Sequence, residues 1–518
     1  MRSTVTSILI LVVLSIPLSL IDLAHFPYDD GPEHGAAVRE LAKNLIHPAD
    51  PMLTNHAGNS PRFVPSTLIM ALFMRLLHLD VLVVLKIFLA VYFFLFLVAI
   101  ALFSREYFND AGQAPWSLVT LLFLWGMGWT GANAYMFSAM LYTAYFPAVV
   151  SFSLSLMALY TQLCFIHRKK TLWLILTILL GSLAFINHPL TGVFFFICSG
   201  LLSIEKGISV RRMMYAYAVS GAAALSLMAL WPYYDLPTNI LKIISGKMQQ
   251  AADYQITRHY LYSKVVLRAG PALAGIPLLI LLLVWKRHLL LVGGFVAFGL
   301  IYLTGYLCNI SLAERFIFFI IFTLQMTVSR MCRKWFSFSP PSLTRGIKSI
   351  IAWLLILFLA SGVIIQMILI CSEFIFPAFK VTPGDNFPHY VNPNKTQTEM
   401  KKYLREGDVV LSDIYSSWSI PVYTGAKIIA LFHTPPHVDD NLERIRAVET
   451  FYDTSTTCEE RRAILKRYGV THILLNFQIT GKDIEPTVQE MGFPVSARGE
   501  SFCLFSVSSR NSKVHNKR

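Results

Sequence analysis

Charge is what this chain lacks. Of its 518 residues only 14% are Asp, Glu, Lys or Arg, while 55% are hydrophobic. A soluble chain carries about a quarter charged residues, so a wholly soluble protein is excluded. Acidic residues are the scarcer sign, 30 against 44 Lys and Arg, for a formal net charge of +14. That excess would suit nucleic acid, but the basic residues sit in short clusters between apolar runs. They read as topology signals and argue against a nucleic-acid partner. Cysteine is sparse: seven, none in a CxxC pair, which gives no metal or redox framework. Cys458 and Cys503 both fall late in the chain, and the sequence leaves their pairing open.

Long apolar runs are what the chain has instead. The first covers 7–24 behind Arg2, with no small-residue cleavage site after it, so it reads as an uncleaved span. Later runs start near Val81, Pro115, Tyr145, Thr171, Leu190, Met213, Pro271, Leu289, Leu312 and Ile350. Together they predict about eleven spans, each near the ~17–25 residues a bilayer requires. The segment 63–78, "FVPSTLIMALFMRLLH", is short and interrupted by Arg75. If it lies on the surface as an interfacial amphipathic helix, the clusters "HRKK", "EKGISVRR", "WKRH" and "RMCRKWF" all fall in the cytoplasm. If it spans, they all flip outside. The positive-inside rule selects the interfacial reading. The N-terminus is then cytoplasmic and the C-terminal region lies outside the plasma membrane.

The composition changes late in the chain. Residues 1–372 read as the membrane domain, with a first external loop at 24–80. Residues 373–395 are rich in Pro, Asn and polar residues and read as a linker. In 396–508, "GDVVLSD" and "HILLNF" have the pattern of short buried strands. "NLERIRAVETFYD" and "TCEERRAILKRYG" have helical spacing, the second closing at Gly469. Strands alternating with helices predict a small α/β domain. It carries no GxGxxG, Walker or GxSxG motif to make it catalytic by itself. Residues 509–518 read as a disordered tail. The fold class is thus a polytopic α-helical membrane protein with a small C-terminal extracytoplasmic α/β domain.

Four ionisable residues cluster where the first run ends, in "FPYDDGPEHG". Pro32 marks a helix start, so Asp29 and Asp30 precede the first turn, where the helix dipole favours negative charge. Asp30 and His34 are four apart and share a face if the helix starts that early. An acidic N-cap on a surface helix is the plain reading. The functional one is a partly dry carboxylate that acts as a general base or holds a divalent cation. "FINHPLTG" places His188 between two apolar runs: a helix end with a proline turn, or a histidine for a phosphate or metal. "NISLAERFIFF" places Glu314 and Arg315 at the start of a span: an interfacial ion pair or snorkelling arginine, or a clamp on an anionic headgroup. The tyrosines of "GANAYMFSAMLYTAYFP" read as an interfacial aromatic belt or as a site lining. Arg258, Lys264 and Arg268 in a later loop are a solvated face or a receptor for an anionic headgroup.

The order of these features resembles the GT-C superfamily of integral-membrane glycosyltransferases, of the protein mannosyltransferase or lipid A aminoarabinose transferase type. "YDDGPEHGAAVRELAKNL" is similar to that family's acidic motif and following helix. "FVPSTLIMALFMRLL" is similar to its interfacial helix, "AFINHPLTG" to its outward-facing turn, and "GDVVLSDIYSSWSIPVYTGAKIIA" to the opening of its external domain. The resemblance implies a polyprenyl-phosphate-linked sugar donor and membrane lipids as partners. It implies Asp30 as catalytic base supported by Asp29 and His34, and His188, Glu314, Arg315 and Arg268 around the lipid phosphate. A divalent cation, Mg2+ or Mn2+, is the cofactor Asp30 and His34 would hold. The second outer loop has no acidic residue where several relatives carry one. A transporter, the main alternative, would show mid-span charges and internal repeats. Few such charges are present, Lys86 being one, and no repeat is evident. A non-catalytic lipid-binding membrane protein is the third reading.

Overall fold

In the computed structural model of the chain the described residues are 30–56, 58, 60–127, 129, 134–233, 235, 258–284, 288–337, 345–371, 399–431, 437–477, 479 and 481–507. The first apolar run, Asp29, the linker at 373–395 and the tail at 509–518 lie outside them. The chain divides into two compact units. One takes its described residues from Ile87–Trp231 and Ile244–Asp385, the other from Asp22–Lys86, Pro232–Ile243 and Asn386–Arg518.

The second unit begins with two short helices. Helix α1, Gly31–Lys43, starts on Pro32 and runs through Ala36, Ala37 and Leu41, all buried. Helix α2, Pro65–Leu77, has Pro65 at its start, and Thr67 Oγ1 accepts from the Val64 N–H at 2.9 Å. It ends at His78 in the left-handed region. Its 13 residues are too few to cross a bilayer. Ser66, Thr67, Met70 and Ala71 are buried, while Ile69, Leu72, Leu76 and Leu77 form an exposed apolar stripe. That two-faced pattern is what a helix lying in an interface has.

The first unit is helical. It contains α3 (Val81–Phe108), α4 (Gln113–Phe123), α5 (Phe137–Thr143), α6 (Pro147–Arg168), α7 (Thr171–Asn187), α8 (Pro189–Glu205), α9 (Val210–Leu230), α10 (Val265–Val284), α11 (Leu289–Leu307), α12 (Ala313–Ser337) and α13 (Ser349–Ile370). The first residues of α3, up to Lys86, belong to the other unit. Among the described residues six of these, α3, α6 and α10–α13, are long and apolar enough to cross a membrane. The sequence predicted eleven. Helices α7 and α8 have 17 residues each, the short end of what a bilayer requires. The run from Pro115 departs for a visible reason. Helix α4 stops at Phe123, and Gln325 Nε2 donates to the carbonyl of Leu124 at 2.9 Å. The next residues extend: Gly126 N–H donates to Arg268 O at 2.8 Å and Met127 N–H to Leu267 O at 3.1 Å. A Cβ on Gly126 would stand 1.8 Å from Leu267 O, so only glycine allows this approach. Stacked phenylalanines fill the bundle, Phe194 lying 4.7 Å from Phe319 and 5.0 Å from Phe152 between ring centres.

The second unit ends in a five-stranded sheet. Its elements are β1 (Val409–Leu411), α14 (Ile414–Ser417), α15 (Ile420–Thr424), β2 (Lys427–Ile428), α16 (Asn441–Tyr452), α17 (Cys458–Tyr468), β3 (His472–Asn476), α18 (Gly481–Glu490), β4 (Val495–Arg498) and β5 (Phe502–Ser506). The strand order is β2-β1-β3-β5-β4. β1 runs parallel to β2 and β3, and β5 runs antiparallel to β3 and β4. β1, β3 and β5 are buried along their whole length, as strands covered on both faces must be. Val410, Leu474 and Leu504 point into one core with Trp418 and Ile420. Val409, Leu411, Ile473 and Phe505 point into the other with Phe451 and Leu465. Helix α17 is closed at both ends, by a Thr457–Glu460 capping box and by Gly469 in the left-handed region. Cys458 and Cys503 are both free.

Candidate functional site

Helix α1 holds the acidic motif, and the sheet unit holds α1. Gly35 lets it approach α15 closely, since a Cβ there would lie 2.3 Å from Val422 Cγ2. One turn on, Arg39 Nη2 donates to the Val422 carbonyl at 3.0 Å, near the end of α15, where a cation is favoured by the helix dipole. Glu40 takes the Lys427 ammonium at 2.8 Å. The chain after α1 then joins the sheet. Ile428 N–H donates to Met52 O at 2.9 Å, Thr54 N–H donates to Ile428 O at 3.0 Å, and Leu53 pairs with Ile428 in parallel. Arg444, only 3% exposed, donates to the carbonyls of Thr54 and Ile429 at 2.9 and 3.1 Å and pairs with Asp440. Ala36, Met52 and Leu53 sit in one core with Val410 and Trp418.

Asp30 occupies the N-cap position of α1, but its side chain does not cap the helix. Its Oδ2 instead accepts from Arg62 Nη2 at 3.1 Å. Arg62 Nε also donates to Glu33 Oε2 at 2.6 Å. The three side chains differ in exposure: Asp30 37%, Arg62 25%, Glu33 6%. Burial by itself would lower the Arg62 pKa, but the Glu33 and Asp30 charges outweigh it and the guanidinium is held more firmly protonated than usual. Asp30 is thus the accessible member of an acidic pair sharing one arginine. Glu33 and Arg62 were not among the candidates the sequence singled out. The trace of Arg62 in the sequence is only a basic residue before the Pro65 helix.

His34 is 1% exposed. Its N–H donates to the Asp30 carbonyl at 3.2 Å, the ordinary helical bond. Its imidazole is buried inside this unit. A divalent cation requires several oxygen donors at once. Among the described residues no group of three or more His, Cys, Asp or Glu side chains is placed to hold a metal. Asp30 and Glu33 both face a cation already. Asp29, next to them, lies outside the described residues.

The helical unit holds His188, Glu314, Arg315 and Arg268. The α7–α8 junction breaks at His188-Pro189. Asn187 Nδ2 donates to Pro147 O at 2.7 Å and Ser151 Oγ to Ala184 O at 2.6 Å, which satisfies the broken turn. His188 Nδ1 lies 2.7 Å from Thr191 Oγ1. Arg315 stands in the 3-10 turn Ala313–Phe316, begun by Leu312 at φ +66°. Its Nε is buried with no hydrogen-bond partner among the described residues. Glu314 is fully buried. Arg268 is placed differently: buried, lying over the Tyr260 ring at 3.7 Å and bonded to the carbonyls of Tyr260 and Ser263. Those contacts make it a brace for its own loop.

No protein-family model matches the sequence, and no curated protein matches it. Solved structures do. The apo oligosaccharyltransferase of Archaeoglobus fulgidus superposes with a TM-score of 0.55 at 12% identity, over 92% of this chain and 70% of that one. The same enzyme tethered to an acceptor peptide containing the NVT sequon gives 0.52 at 11% identity, over 97% and 74%. Apo ArnT from Cupriavidus metallidurans gives 0.57 at 11% identity, over 97% and 98%. At 11–12% identity what this chain shares with these two enzymes is the fold.

Proposed function

We propose that the chain is a membrane glycosyltransferase that moves a sugar from a polyprenyl-phosphate-linked donor to a lipid, glycan or protein acceptor on the extracytoplasmic face. The observation that carries this reading is the position of Asp30. Its carboxylate is left out of helix capping, is the most exposed of its cluster, and is fixed by Arg62 at the end of a helix seated on the sheet. A cap would point its oxygen at the N2 or N3 amide. A base must instead be held rigidly and remain reachable.

In the reaction Asp30 takes the proton of the acceptor hydroxyl as that oxygen attacks the anomeric carbon. The bond from the anomeric carbon to the phosphate oxygen breaks, and the electron pair leaves with the lipid phosphate. Positive charge stabilises that developing anion. Glu33 keeps Arg62 in place, so Arg62 can hold the Asp30 carboxylate oriented while the proton moves. On the ground of its own surroundings, Arg315 is the candidate for the donor phosphate, because its Nε lacks a partner among the described residues and its fork suits phosphate oxygens.

Asp30→Asn tests the reading, because Asn caps a helix as well as Asp does but cannot act as a base. The expected result is normal abundance with sugar transfer lower by roughly the 10²–10⁴-fold that loss of a general base costs. A polyprenyl-phosphate sugar should accumulate in cells carrying the variant. Normal transfer by Asp29→Asn and Asp30→Asn, singly and together, would leave the chain a non-catalytic lipid-binding protein or a transporter.

A further inference from the structure

Helices α10, α12 and α13 of the helical unit leave a groove of about 330 Å³ between them. Val328 and Cys332, 2% and 1% exposed, form its floor. Half-buried Leu278, Leu355 and Phe358 pack against that floor as walls. No charged side chain lines the groove. It reaches from Val328 to Trp335 along α12 and from Ile351 to Phe358 along α13. That is seven steps on each helix, roughly 10 Å of rise. Half of a bilayer's hydrocarbon core is ~15 Å deep, so the groove fits within one leaflet.

One end of the groove lies at the membrane edge. Trp335 is two residues short of Ser337, where α12 ends, and an indole favours that level. The helical turns of α13 begin at Arg345, ahead of its apolar stretch. Lys348 precedes Ile351 and Leu355 by three and seven positions, so its Cα sits one turn nearer the edge on their face. Lys334 adjoins Trp335. None of the three helices contains an acidic residue. Asp110, beside α12, is engaged by Arg330 and Arg333, which spacing puts on the side away from Val328 and Trp335. The mouth of the groove is thus basic, with no carboxylate on its own helices.

Basic residues at the end of a span are ordinarily topology signals. That role does not account for an apolar groove that runs out among them. An empty groove forfeits the dispersion contacts of its lining, so in a bilayer a lipid chain fills it. Any acyl chain meets the apolar walls equally well, and the cations at the mouth favour an anionic head. A lysine ammonium carries three donors, so Lys334 can take a phosphate oxygen alongside its protein contacts. We propose that the groove is a binding site for an anionic glycerophospholipid, with one acyl chain along Val328 and Cys332 and the phosphate at the Lys334 end. The positive-inside rule assigns that end to the cytoplasmic leaflet. The proposal goes beyond the transfer reading and does not rest on it.

The test uses the full chain in nanodiscs of phosphatidylcholine with phosphatidylglycerol as the minor lipid. The protein is released into detergent, and native mass spectrometry reads the lipid it retains. Phosphatidylglycerol should be retained in preference to phosphatidylcholine by roughly tenfold or more, the effect of two nearby cations. Lys334→Gln with Lys348→Gln should abolish the preference. Lys169→Gln with Lys170→Gln, exposed basic residues that do not line the groove, should leave it intact. Ala274→Phe, at the exposed lip of the groove, should lower retention with both lysines in place, and gives a second route if the lysine variant does not fold. Asp30→Asn should change nothing here, which separates the site from the transfer reaction. Retention of neither lipid or of both equally by the parent, or a loss no larger at Lys334 and Lys348 than at Lys169 and Lys170, overturns the proposal. Displacement of phosphatidylglycerol by an added polyprenyl phosphate also overturns it, and makes the groove a seat for that lipid's tail.

Discussion

Arg62 stands between Glu33 and Asp30, with Nε 2.6 Å from the one carboxylate and Nη2 3.1 Å from the other. The two contacts do different work. Glu33 is 6% exposed and has Arg62 as its buried cationic partner, whereas Asp30 at 37% is partly hydrated without it. Arg62→Ala should cost stability near the low end of the roughly 3–5 kcal/mol that removing one partner of a buried pair costs. Nearly all of it comes from Glu33, because exposed pairs are worth only about 0–1 kcal/mol. The double variant Arg62→Met with Glu33→Gln should recover most of that loss while transfer stays low. Thermal melts and transfer assays on the three proteins check this; recovery of transfer with stability would reduce Arg62 to a structural tie.

Arg444 ties the segment after α1 to the sheet through the carbonyls of Thr54 and Ile429. Arg444→Ala should cost about 2–4 kcal/mol, because charged hydrogen bonds contribute roughly 1.5–3 kcal/mol each and buried carbonyls lose a donor. Hydrogen exchange should accelerate first at the amides of Thr54 and Ile428. Unchanged exchange there would mean that the parallel bridge at Leu53 holds without the arginine.

Asp50 and His56 make the second ion pair of that segment, at 2.7 Å. Burial would raise the Asp50 pKa, but the His56 bond and the Leu53 and Met52 amides outweigh it, so it is lowered. The His56 pKa is raised, chiefly by its bond to Asp50, against partial burial. The signs then fix the window. The lowered carboxylate contributes stability above its unfolded pKa and loses it as pH falls through the folded one. The raised imidazole contributes below about 6.5, the ordinary histidine value, and loses it as pH rises through its folded pKa. Stability from the pair should peak in mildly acidic solution and decline above neutrality. Melting temperature against pH should flatten on that alkaline limb in His56→Gln; an unaltered limb would mean another group sets it.

Arg315→Lys keeps the charge and loses the planar fork. If Arg315 holds the donor phosphate, the donor KM should rise by roughly tenfold or more, the cost of about one charged hydrogen bond, with the protein still inserted. Donor dependence unaffected by Arg315→Ala would leave only a snorkelling side chain.

Sidedness can be read with Cys458, which is free and exposed on the sheet unit. With the other exposed or partly exposed cysteines, Cys308 and Cys371, replaced by Ser, an impermeant maleimide should label Cys458 from outside the cell. Lys169→Cys, in a chain also carrying Cys458→Ser, should label only after the membrane is opened. The reverse pattern would put the acidic helix and the sheet in the cytoplasm.

What the sequence determined by itself were the features written in local periodicity. Apolar runs near Val81, Tyr145, Pro271, Leu289, Leu312 and Ile350 became helices long enough to cross a membrane, because a continuous apolar run has one low-energy state in lipid. The Pro32 helix start and the Gly469 stop were legible for the same reason: capping is decided within a turn. Tertiary structure decided the rest. The pairing of Asp30 with Arg62 spans 32 positions, and that of Thr54 with Arg444 spans 390. No local pattern encodes such contacts, because they depend on which faces the folded elements bury. His34 shows the same limit. Its position four residues after Asp30 suggested a shared exposed face, but the packing of α1 on Val422 and the sheet core left only Asp30 within reach of solvent. The stop of α4 at Phe123 was likewise set by Gln325 and by the close approach of Leu267 to Gly126, contacts that hydropathy along a single run cannot express.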